Sequence, residues 1–188
     1  MAFDAEQFGD IIHRLLVVEV LAGKNIQASV QSAFGCGFEG NIPEERVYGI
    51  IEKYLAAGIK NISLADTAGH ANPAKVERMF SYIHSLGSSI ETTCHFHNTY
   101  GMGLANCYSA LNAGVRTFET AFGGLGGCPF TKQPAGNVCT EDFVNMLNEM
   151  DLRKDINIEP VIKVTKHASD FFGKALQGLV YKAGRINH

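Results

Sequence analysis

His95 and His97, with Phe96 between them, are the residues of this sequence best placed to hold a divalent ion. They close a run of strand formers, residues 89–95. Side chains alternate along a strand, so both imidazoles can meet one ion while Phe96 packs on the other face. Imidazole nitrogen is a ligand for several divalent metals; equally, two histidines at a strand end can hydrogen-bond the loop beyond them. A second cluster is Gly123, Gly124, Gly126 and Gly127, which lead into Cys128. Glycine at this density lets backbone N–H groups face an anion or a polarised carbonyl, and Cys128 offers a thiol within that loop. No Gly-Lys-Ser/Thr follows, so the loop is not a nucleotide-binding P-loop. Further along, Asn137 carries an amide oxygen suited to a hard ion or to a turn ahead of a helix. Asp66, in the run Asp66-Thr67-Ala68-Gly69, offers a carboxylate that can orient substrate or move a proton, or close a turn.

Positioning these residues at one place requires strands that end together. The sequence predicts strands over 26–34, 61–65, 89–95 and 116–122, each followed by a helical pattern, over 44–57, 73–86, 103–113 and 140–150. Pro43 and Pro73 mark helix starts. Thr140 is expected to cap its helix, with Glu141 and Asp142 in the favourable first turn. Further helices are expected over 5–21, 159–172 and 173–181. Short apolar strands alternating with helices predict βαβ units and a parallel sheet. Active residues of such folds sit at the carboxyl ends of the strands, which is where His95, Asp66 and the glycine loop fall. An eight-stranded barrel typically takes about 250 residues, so 188 residues with four units predict an open sheet or half of a barrel.

Composition narrows the classes. Net charge is −3 and its sign is not segregated, so no basic stripe invites nucleic acid. The apolar run at 15–23 is short and contains Glu19, which argues against a membrane span or a signal peptide. Five cysteines, an odd number with no C-x-x-C pair, read as reduced thiols in a cytosol-like compartment.

Taken together, SLADTAG (63–69), HFHNTYGMGLAN (95–106), GLGGCPF (124–130) and PAGNVCTED (134–142) resemble the hydroxymethylglutaryl-CoA lyases in order and spacing, and FGCGFEG (34–40) matches another segment of that family. GLGGCP separates those lyases from the related synthases and aldolases that share the H-x-H site. The resemblance implies a (β/α)8 barrel in which these strands are the fifth to eighth, so that 1–188 forms one partial-barrel domain followed by C-terminal helices. It implies cleavage of 3-hydroxy-3-methylglutaryl-CoA, or a similar 3-hydroxyacyl-CoA, to acetyl-CoA and acetoacetate, as in leucine degradation and ketone body metabolism. It implies His95, His97 and Asn137 as ligands of Mg²⁺ or Mn²⁺, and Cys128 as a mobile-loop thiol that assists proton transfer. Asp66 matches an active-site carboxylate and Glu141 an acid close to the loop, with Gly124, Gly126 and Gly127 forming the substrate loop. The implied location is the cytoplasm of a bacterium or the mitochondrial matrix of a eukaryote.

The sequence departs from the family pattern in three places. Gly37 stands where Pro is usual, Gln31 where a small Ser is usual, and Asn98 where Asp is common. The family's Asp-Arg segment on its first strand has no counterpart, so this chain alone is expected to be inactive. The expected partner is a second copy or a complementary N-terminal half. Alternative readings are a non-catalytic half-barrel, or an aldolase or acyltransferase acting on another oxo acid or acyl-CoA.

Overall fold

Four parallel strands, β1 (Gln27–Val30), β2 (Asn61–Asp66), β3 (Glu91–Phe96) and β4 (Thr117–Glu119), pair in sequence order in a computed structural model that describes residues 22–127 and 136–186. The helix expected over 5–21, and Cys128 with its loop neighbours to 135, lie outside the described residues. Helices α1 (Glu44–Ala56), α2 (Pro73–Ser85) and α3 (Gly103–Asn112) connect the strands. After β4 come α4 (Thr140–Glu149), α5 (Ile158–Phe172) and the short α6 (Val180–Ala183). Among the described residues no helix is long and apolar enough to cross a membrane.

Alternation divides the sheet into two faces. Ala28, Val30, Ile62, Leu64, Cys94 and Phe96 point to the helices and are buried with Val47, Ile51, Val76, Met79, Phe80 and Ile83. Each fully buried side chain of this size contributes about 1.5–3 kcal/mol, so this face supplies the core. Strand register aligns Ser29 with Ser63 and Thr93 with Thr117, and places Ala65 beside His95 and His95 beside Glu119. These residues form the second, polar face. Asp66 pairs with Phe96 and therefore lies on the helix side.

The Asp66 side chain is placed in the turn that follows β2. The carboxylate is fully buried and closes the turn into α2, where its oxygens accept the N–H groups of His70 at 2.8 Å and Ala71 at 3.1 Å. Asn72 then caps the helix by accepting from Lys75 N–H, with Pro73 in the first turn. Lys75, itself buried, donates from Nζ to the carbonyls of Phe34 and Ile42, each at 3.1 Å. It thereby ties the loop after β1 to α2.

Several boundaries differ from the expected ones, and β4 ends at Glu119 rather than at 122. β1 stops at Val30, because Ser32 adopts a left-handed φ of 53° and swings its N–H onto Thr67 Oγ1. Cys139, not Thr140, occupies the cap position of α4; Thr140 begins the helix and its hydroxyl meets that of Thr120. No continuous helix spans 173–181. Gly173 ends α5 in a left-handed conformation, and α6 starts only at Val180, where Asp142 accepts the N–H groups of Leu179 and Val180.

The Asp66 turn generates a stability prediction. Burial pushes the Asp66 carboxyl up to about 6, against the opposing pull of its N–H donors. An acid raised in the folded state stabilises the fold below the ordinary carboxylate range and loses that contribution as pH rises through about 6. Asp66→Asn places an NH₂ against one of two buried N–H groups, at a cost of about 1–3 kcal/mol. Urea unfolding is expected to show the variant weaker at pH ~5, with the gap narrowing by pH ~8. Equal midpoints at both values would show that the turn does not depend on this carboxylate.

Candidate metal centre

The polar face brings His95 and His97 together at the carboxyl end of β3. His95 Nδ1 lies 2.9 Å from Glu119 Oε2, and His97 Nδ1 lies 2.8 Å from the Thr67 carbonyl oxygen. A carbonyl and a carboxylate can only accept, so both Nδ1 atoms donate. In the neutral form of both rings each Nε2 carries a lone pair, and the two Nε2 atoms lie 3.3 Å apart. Burial holds His97 below the ordinary imidazole range, so its ring is neutral near pH 7, the form that ligates metal.

Two converging lone pairs repel unless a cation lies where both can reach it. Nitrogen ligands at about 2.1 Å from one ion stand about 3.0–3.4 Å apart at octahedral or tetrahedral angles, which brackets the observed separation. A histidine ligand whose other nitrogen donates to a carboxylate or a carbonyl is the usual support for a metal.

Asn137 is delivered by backbone pairing. Asn98 N donates to Gly136 O at 3.0 Å and Val138 N to Phe96 O at 3.1 Å, which sets Asn137 opposite His97. Its Nδ2 donates to Leu125 O at 2.8 Å, while its Oδ1 is buried without a hydrogen-bond partner. A buried orphan acceptor costs about 1–3 kcal/mol, and an ion at the histidine pair would satisfy it. Among the described residues no three His, Cys, Asp or Glu side chains gather to hold an ion; the third donor here is an amide oxygen. Two imidazoles and an amide oxygen fit a divalent ion with sites left for substrate oxygens.

The start of the glycine loop is built from strained turns that only glycine accepts readily. Gly124 has φ 69° and Gly126 φ 88°. A Cβ on Gly126 would come within 2.7 Å of Asn137 Nδ2, and one on Gly136 would overlap the Gly124 carbonyl oxygen. The two ends of the loop therefore touch backbone to backbone beside Asn137. Glu141, fully buried, accepts the Gly123 N–H with both oxygens, at 2.9 and 3.1 Å. The structure thus gathers His95, His97, Asn137, Gly124 and Gly126, with the exposed Gly127 leading away and Glu141 beneath. It does not bring Asp66 there, and Cys128 lies outside the described residues. Glu119 and Thr67 were not singled out from the sequence. Alternation along 116–122 offers a signal for Glu119, but a backbone carbonyl such as that of Thr67 leaves none.

The HMGL-like family model matches residues 12–167. The hydroxymethylglutaryl-CoA lyase of Bacillus subtilis is 37% identical over 155 residues, 82% of this chain and 52% of that protein. The (R)-citramalyl-CoA lyase of Chloroflexus aurantiacus is 36% identical over 164 residues, 87% of this chain and 52% of that protein. An HMG-CoA lyase of Acinetobacter baumannii, solved with coenzyme A and 3-methylmalate, superposes with a TM-score of 0.88 at 40% identity, covering 98% of this chain and 60% of that one. The four strands accordingly form part of a (β/α)8 barrel, and the chain spans about half the length of the curated relatives it matches. From the paired histidines, the amide beside them and the matched segment alike, the chain belongs to the HMGL-like family.

Proposed function

We propose that this chain supplies the metal-binding part of a lyase that cleaves 3-hydroxy-3-methylglutaryl-CoA, or a close 3-hydroxyacyl-CoA analogue, to acetyl-CoA and acetoacetate or the corresponding oxo acid. The observation that carries the reading is the convergence of His95 Nε2, His97 Nε2 and the orphaned Asn137 Oδ1 beside the glycine loop. Two relatives named as lyases of acyl-CoA substrates agree with it. His95, His97 and Asn137 would hold Mg²⁺ or Mn²⁺, which supplies Lewis acidity to the substrate's hydroxyl and neighbouring oxygens.

In the reaction the substrate's 3-hydroxyl gives up its proton to water, which returns one to the Cys128 thiolate after turnover, and C3 becomes a ketone. The C2–C3 bond breaks, and its electron pair passes to C2 as the enolate of the thioester. Protonation of C2 completes acetyl-CoA. We assign that proton to the Cys128 thiol. The protein's other contributions follow from the geometry. Glu119 and Thr67 hold the two rings in the ligand tautomer. Glu141 anchors the root of the glycine loop, which is suited to close over the substrate and exclude water. Ser29, Gln31, Thr117 and Glu119 leave the polar face exposed; the surface that completes it belongs to a second copy or a complementary N-terminal half.

Mn²⁺ titration tests the ligand set. His95→Ala is expected to abolish tight binding, and Glu119→Ala, which frees the His95 ring, to weaken it by about 10–100-fold. Unchanged affinity in both variants would remove the centre from this place. Cys128→Ala is expected to keep the metal affinity and lose turnover by about 10²-fold or more, measured as thioester cleavage in the complete assembly. An unaltered rate would take the thiol out of the mechanism.

A further inference from the structure

Gln31 is the first residue past the end of β1. Val30 pairs with Leu64, Ala65 with His95, and His95 with Glu119. Neighbouring strands are about 4.8 Å apart, which puts the end of β1 about 10 Å from the end of β3, across β2.

The amide is held by Ser29 and Thr67. Gln31 Nε2 donates to Ser29 Oγ at 2.8 Å. Thr67 Oγ1 accepts the Ser32 N–H at 2.9 Å and turns its own hydroxyl toward Gln31 Oε1 at 3.3 Å. Thr67 is also the residue whose carbonyl holds His97, so the amide and the metal site share one anchor. The backbone just beyond is fixed as well. Ser32 sits in the left-handed region with φ 53°, and Ala33 N bonds to Ala65 O at 3.0 Å. A non-glycine residue held there costs about 1–2 kcal/mol, so the surroundings specify this geometry closely. With one N–H and one lone pair engaged within the chain, Gln31 has one donor and one acceptor left.

We propose that Gln31 is a specificity-determining residue, which reads a neutral hydroxyl-bearing substituent on the acyl carbon next to the metal-held oxygens. This inference rests on the lyase reading given above. A hydroxyl satisfies both free positions of the amide, since it donates and accepts. A methyl in the same space leaves both unpaired. A carboxylate pairs with the N–H alone and is repelled by the Gln31 oxygen. The favoured substrate class is thus a 3-hydroxyacyl thioester carrying a hydroxymethyl group in place of the 3-methyl. A site that hydrogen-bonds a hydroxyl rejects the analogue lacking it more strongly than an apolar site rejects an added hydroxyl.

The test compares cleavage of 3-hydroxy-3-methylglutaryl-CoA and its hydroxymethyl analogue by the protein in its complete assembly with Mg²⁺. The parent is expected to favour the hydroxymethyl thioester in kcat/KM by about 10-fold, as one hydrogen-bonded hydroxyl at an exposed amide warrants. Gln31→Ser and Gln31→Leu are expected to move that ratio about 10-fold or more toward the methyl substrate, chiefly through KM, while Mn²⁺ affinity stays unchanged. If the parent cleaves the methyl thioester but the ratio is the same in all three proteins, Gln31 does not read the substituent and the lyase reading survives. Cleavage of neither thioester by the parent, with metal bound, overturns the lyase reading and this inference with it.

Discussion

Two acceptors, the Thr67 carbonyl and the Glu119 carboxylate, dictate the state of the whole site. Neither can donate, so each forces its histidine to protonate at Nδ1. That leaves the two Nε2 atoms 3.3 Å apart, and in the neutral form of both rings their lone pairs converge on a place that suits a cation. The sheet is what makes the two acceptors available. Glu119 is the register partner of His95, and Thr67 follows directly on the strand beside β3.

The same logic of backbone delivery brings the third donor from forty residues away. Asn137 has no helix or strand of its own; it is set by the two hydrogen bonds that lay 136–138 alongside the end of β3. That pairing requires the loop to return on itself, which the close contact between Gly124 and Gly136 allows. Glu141 secures the root of the loop from below through Gly123, and Lys75 secures the loop after β1 through two carbonyls. Both loops are thus held at their roots by buried side chains.

Much of this was legible in the sequence because it rests on short periodicities. The alternation of His95, Phe96 and His97 is a property of any strand, and it set both rings on one face and Phe96 in the core. The glycine density at 123–127 likewise announced positive φ before any geometry was known. The surroundings of Asp66 were less legible, for a complementary reason. Its type and its place at a strand end fit an active-site acid, but which face it takes depends on register with β3, and register is a tertiary property. The early end of β1 at Ser32 and the broken helix after Gly173 follow from single hydrogen bonds and packing contacts that leave little trace in local sequence. Gln31 shows a different case. Its type was visible as a departure from the family pattern, whereas its link through Thr67 to His97 became visible only with the strands paired.

The central claim is that His95 and His97 share the Nδ1–H tautomer and offer both Nε2 lone pairs to one ion. Long-range ¹H–¹⁵N correlation spectra of the imidazole rings, recorded near neutral pH with and without Mg²⁺, test it most directly. Protonated Nδ1 and bare Nε2 in both rings, with both Nε2 signals shifting together as Mg²⁺ is added, is the predicted result. A proton on Nε2 of His97, or Nε2 signals indifferent to the metal, would contradict the account.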